Sequence, residues 1–98
     1  MPRTHFVVFH HPGPAWLPGI PMREQPGLKA HVDHFRVEAE AGRLFGGGPF
    51  TDDASGGMVV FKDDVEREHV ERVAGADPTV QSGLLTFTIR PWFRPYGD

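Results

Sequence analysis

The sequence predicts an α+β domain in which four strands form one antiparallel sheet and two helices cover it. Three observations lead there. Four short runs rich in Val, Phe, Ile and Leu read as strands, and two stretches of helical spacing lie between them. The prolines and glycines cluster at 12–27, 46–57 and 91–97, where they separate elements. With 98 residues and 39% apolar content, the chain can build one core and not two, so a single domain over 1–98 is expected.

Thr4 to His11 is almost continuously apolar at Phe6-Val7-Val8-Phe9, the pattern of a central strand. Alternation places His5, Val7, Phe9 and His11 on one face and Phe6, Val8 and His10 on the other. HPGPAWLPGIPMREQP follows, a connection of sixteen residues that reads as a cover over the core or over a pocket, anchored by Trp16. Gly27 to Ala41 is the first helix. Its apolar stripe is Leu28, Val32, Phe35 and Ala39, and Asp33, Arg36 and Glu40 face away. Val37 lies on the polar side, and Gly42 suits the left-handed turn that ends a helix.

Arg43 to Phe45 is a short strand, and the glycines at 46–48 mark a bulge or a close backbone approach. Thr51 to Gly57 makes a hairpin-type connection into a third strand, Gly57 to Lys62. A second helix is expected from about 64 to 75, with Asp63 as its N-cap. Asp77-Pro78 starts a further helical turn, since aspartate caps well and proline suits the first helical position. Leu84 to Trp92 is the last strand, and Pro91 and Pro95 are expected to stop the sheet.

The order β-α-β-β-α-β is the split βαβ, ferredoxin-like arrangement with both helices on one sheet face. Phe and Val on the strands leave the other face apolar, which predicts a second copy packed there as a symmetric homodimer. Net charge is -3 and the basic residues are scattered, so no nucleic-acid partner is expected. The chain has no cysteine, which excludes disulfides, thiol nucleophiles and Cys-based zinc sites. No run has the form of a signal peptide or a membrane span, so a cytoplasmic protein without membrane contact is expected.

His31 is the first candidate for chemistry, because it lies at the edge of the apolar stripe one turn before Phe35. A histidine there needs an orienting acceptor, and Asp77, held extended by the proline after it, can supply one. Gly47 and Gly48 allow close backbone approach to a ligand, Phe50 and Trp16 offer apolar walls, and His11 at the end of the first strand joins this substrate-binding set. His10, His11, His31 and His34 are the candidates for metal ligands. His10 and His11 point to opposite faces, and no carboxylate completes a ligand motif, so neither a metal nor another cofactor is expected. His34 with Glu38 reads as an exposed i, i+4 pair.

HVDHFRVEAEAGRLFGGGPF, GGMVVF, ADPTVQSGL and FTIRPW, in that order, resemble the YciI-like (YCII-related) family from about residue 5 to 93. The GGPF segment is similar to its DGPF-containing relatives, although a glycine stands here where many of them carry an acid. The resemblance implies a dimeric α/β barrel with an active-site His–Asp pair, His31 and Asp77 by position in those motifs. It also implies general acid–base chemistry of the lyase or dehydrochlorinase kind on a small molecule, aromatic or enol-type, without a covalent intermediate. The alternative is a dimer that binds a small metabolite, or regulates a partner, without catalysis.

Overall fold

The computed structural model describes residues 3–52 and 55–97. In chain order the elements are β1 (Thr4–Pro12), α1 (Leu28–Glu40), β2 (Leu44–Pro49), β3 (Gly57–Phe61), α2 (Arg67–Gly75), α3 (Pro78–Ser82) and β4 (Leu85–Phe93). The strands form one antiparallel sheet in the order β2-β3-β1-β4, so the two apolar strands β1 and β3 are central. This is the expected ferredoxin-like α+β fold. No helix among the described residues is long and apolar enough to cross a membrane.

Register explains the two faces. Val8 pairs with Val59 on one side and Ile89 on the other, and this set faces the helices. The core there joins Val8, Val59 and Phe61 to Phe35 of α1 and to Val70 and Ala74 of α2. Val7 pairs with Val60 and Arg90 on the opposite face. That face also carries Phe45, Met58 and Trp92, each at least 36% exposed.

Several elements differ from the sequence reading. β2 runs through its glycines to Pro49, with a bulge between Leu44 and Gly46. A glycine strand is weak alone, but here every residue from Gly46 onward has a partner on β3. β4 runs past Pro91 to Phe93, because an edge strand needs no proline N–H on its outer side. α2 starts at Arg67 rather than 64, with Glu66 as an N-cap that makes no side-chain bond. Asp63 therefore does not cap it. Residues 53–54 of the expected hairpin connection lie outside the described residues.

Candidate active site

The site is built where the start of α3 meets α1 and β1. Asp77 is the N-cap of α3, with extended backbone (φ -58°, ψ 123°) and Pro78 in the first helical turn. Its side chain is fully buried. The two carboxylate oxygens divide their work. Oδ1 accepts hydrogen bonds from the Thr79 amide at 2.9 Å and the Thr79 hydroxyl at 2.7 Å. Oδ2 lies 2.5 Å from Nδ1 of His31. Capping a helix and holding a histidine are thus simultaneous roles of one residue.

Burial would raise the Asp77 carboxyl, but the hydrogen bonds from His31 and Thr79 outweigh it and hold the group below its ordinary value. An ionised carboxylate can only accept, so Nδ1 of His31 carries the shared proton. In the neutral ring, Nε2 is then left with its lone pair. His31 is 17% exposed and lines a cavity of about 940 Å³.

That cavity opens between α1 and the β2–β3 hairpin. Leu28, Val32, Phe35 and Ala39, the predicted stripe of α1, form one wall, so the stripe faces the cavity as much as the core. Val32 is 47% exposed for this reason. Opposite stand Gly47, Gly48 and Phe50, three of the residues that the sequence offers for a substrate-binding set. Gly47 shares the helix face with Val59 and places no side chain beneath α1. Gly57 is tighter: a Cβ there would come within 2.6 Å of the Gly48 carbonyl oxygen. Glycine is required where the hairpin closes beside the site.

Two expected wall residues are elsewhere. His11 is exposed on the face away from the helices, with Nε2 3.3 Å from the Thr88 hydroxyl. Strand alternation from the buried His10 puts it there. Trp16 is half-buried but does not line the cavity. The long loop instead presents Pro21, Met22 and Arg23. The buried amide of Gln25 sets this arrangement, because it bonds the Leu17 amide and carbonyl and the Ile20 carbonyl at 2.8–3.0 Å.

The residue that sequence reasoning left out of the site is His10. It is 3% exposed, its ring meets the His31 ring edge-on at 4.7 Å between centroids, and its Nε2 is 3.8 Å from Asp77 Oδ2. Nε2 has no hydrogen-bond partner among the described residues. Burial, then the neighbouring His31, push the His10 imidazole down to about 4, with Asp77 pulling the other way. His10 is therefore neutral at pH 7. The signal was available: His10 shares its strand face with Phe6 and Val8, which point at the helices.

Among the described residues, His10, His31 and Asp77 are also the group that could hold a cation, since their ligand atoms lie within 4.8 Å of one another. Two of those atoms are already bonded to each other. His34 is not part of this group. Its Nε2 donates to the Val73 carbonyl at 2.7 Å, which corrects the exposed pairing with Glu38. Glu38 is buried and accepts from Arg43 through two nitrogens, both at 2.9 Å, and from His69 at 2.6 Å. The Arg43 hydrogen bonds and, after the opposing cost of burial, His69 hold the Glu38 carboxyl down to about 2.

No curated protein matches the sequence. Among solved structures, the chain is similar to 5-chloro-2-hydroxyhydroquinone dehydrochlorinase (TftG) from Burkholderia phenoliruptrix AC1100 in complex with 2,5-dihydroxybenzoquinone. The match has 19% identity and a TM-score of 0.61, and it covers 89% of this chain and 92% of that one. At that identity the likeness is one of fold. The YCII-related domain matches residues 4–93, from the start of β1 to the end of β4, and the chain belongs to this family.

Proposed function

We propose that this protein is a general acid–base enzyme in which His31 moves a proton on a small aromatic or enol-type substrate held in the cavity. The observation that carries the reading is the 2.5 Å contact between His31 and the fully buried Asp77, at the wall of a largely apolar cavity. Asp77 fixes the ring and its tautomer, and stabilises the imidazolium formed when Nε2 takes a proton. His10, neutral and packed against His31, keeps water and a second positive charge away from that ring. Gly47 and Gly48 let a planar ligand approach the sheet backbone closely. The fold likeness to a dehydrochlorinase supports an elimination as the first reaction to try. There the substrate would react as its keto tautomer, with a tetrahedral C–Cl carbon: the proton of the para hydroxyl would go to His31 Nε2, its electron pair would form a C=O bond, the adjacent ring double bond would shift to the C–Cl carbon, and chloride would leave with the C–Cl electrons, giving a quinone.

The test is chloride release from 5-chloro-2-hydroxyhydroquinone and related chlorinated hydroquinones, comparing wild type with His31→Asn. Turnover that His31→Asn abolishes, at unchanged folded fraction, supports the mechanism. Equal rates in the two proteins would remove it. If the wild type binds these compounds without turnover and His31→Asn only weakens binding, the cavity is a receptor site for a small metabolite.

The same reading includes a homodimer through the sheet face away from the helices, where Phe45, Met58 and Trp92 are partly exposed. Sedimentation of Trp92→Arg should then give a monomer where the wild type gives a dimer. A wild type that sediments as a monomer would end this part of the proposal.

A further inference from the structure

We propose that the cavity selects a small organic anion, an apolar planar body bearing one carboxylate or phenolate oxygen, and that Arg23 recognises its charge. This rests on the cavity being the substrate site, and it adds the substrate's charge and the residue that reads it. The first observation concerns which ionisable groups line the cavity. Among the described residues they are Arg23, Arg36, His10 and His31, with no carboxylate. The chain as a whole carries 13 acidic residues against 10 Lys and Arg. A wall drawn at random from this chain would hold acids, and the described part of this one holds two arginines and two histidines instead.

The second observation separates the two arginines. Arg36 is already engaged, with Nη1 3.2 Å from Asp33 Oδ1. Asp33 is shared further with Lys29 at 2.8 Å. Arg23 makes no hydrogen bond, ion pair or ring contact among the described residues, and is the guanidinium free to take a ligand. The third observation is that its place is prepared. Arg23 is in a 3-10 turn, Met22–Glu24, closed by the Gln25 amide bonding Met22 O at 3.0 Å. The Gln25 side chain then ties this turn to Leu17 and Ile20. Part of the ordering cost of the loop is therefore met before a ligand arrives.

Asp77 is fully buried, and His31 and Thr79 occupy both of its oxygens. Glu24, beside Arg23 in sequence, does not line the cavity. A planar guanidinium matches a carboxylate with two parallel hydrogen bonds, which a neutral amide cannot reciprocate.

The experiment compares benzoate with benzamide, probes of one shape and different charge, by calorimetric titration into the full chain. The wild type should bind benzoate about tenfold more tightly than benzamide, the ratio expected of one charge-assisted hydrogen bond. Arg23→Gln should bring benzoate down to the benzamide level and leave benzamide unchanged, and Arg23→Lys should fall between. Arg23 is exposed, so the variants should keep the wild-type circular dichroism spectrum. A wild type that binds neither probe or binds both alike overturns the proposal, as does an Arg23→Gln variant that binds benzoate undiminished. His31→Asn should still prefer benzoate, so failure of the proton-transfer reading and failure of this one are separate results.

Discussion

The contact between His31 and Asp77 can be weighed without a substrate, by a double-mutant cycle in stability. Asp77→Asn removes the charge but leaves an oxygen to cap α3, since Asn caps about as well as Asp. His31→Gln does the reverse and leaves a fully buried carboxylate oxygen short of its donor. A hydrogen bond to a charged group contributes about 1.5–3 kcal/mol net, whereas stranding one buried charge costs about 3–5 kcal/mol. His31→Gln should therefore be the more damaging single change, by about 1–2 kcal/mol on these figures. The double variant should fall short of the summed losses by about 2 kcal/mol, well above the scatter of independent sites. Urea denaturation of the four proteins at pH 7 gives the cycle, and thermal melting checks it, at about 4–8 °C per kcal/mol for a domain of this size. The pH dependence has a fixed sign. Asp77 lies below its ordinary 3.8, so its contribution is complete above that value and is lost as pH falls through the folded-state value. Losses additive to within about 0.5 kcal/mol would mean the side chains do not cooperate, and the orienting role of Asp77 would be refuted.

Three further outcomes are expected. Glu38, held at about 2 against an ordinary 4.5, contributes about 3 kcal/mol by linkage and about 1–2 kcal/mol after allowing for solvent at the 38% exposed Arg43. That contribution is present above pH 4.5 and lost towards pH 2. Glu38→Gln should therefore be less stable than wild type in urea at pH 7 and equal to it near pH 2. His10, lowered from 6.5 to about 4, makes the protein lose up to about 3 kcal/mol as pH falls from 6.5 through 4, because only the unfolded chain accepts the proton early in that range. His10→Phe should flatten the denaturation midpoint across this window; an unchanged slope would show that His10 does not titrate as its burial requires. Gly57→Ala should cost about 1–3 kcal/mol, because its methyl meets backbone at Gly48 and Pro49. Gly46→Ala, with nothing within 4 Å, should melt within about a degree or two of wild type.

The order of elements was legible because periodicity and punctuation agreed from Thr4 to Phe93. Residue types suggested the His31–Asp77 pairing and the family resemblance strengthened it, since α1 and α3 are far apart in sequence and local spacing cannot bring them together. What escaped was burial that runs against residue type. Glu38 falls on the inner side of α1, and only its two hydrogen-bond partners, Arg43 just past the helix and His69 of α2, make that tolerable. Alternation alone had placed His10 beside Val8, but a polar residue at a strand end reads as surface until the helix above it is in place. The loop misled in the same way. Trp16 was its conspicuous residue, yet Gln25, a small polar side chain, organises it and decides which residues reach the cavity.

The five-residue α3 has a consequence for how the protein fails under stress. A helix that short has no stability of its own and persists through its cap and its contacts with α1, α2 and β4. Its first residue is preceded by the carboxylate that positions His31. Fraying of this one turn, an opening well below the free energy of global unfolding, would release Asp77 and leave the imidazole unsteered while the sheet stays intact. Mild denaturant or warmth should therefore disarm the site before any spectroscopic sign of unfolding, and removing the stress should restore it at the speed of a single helical turn.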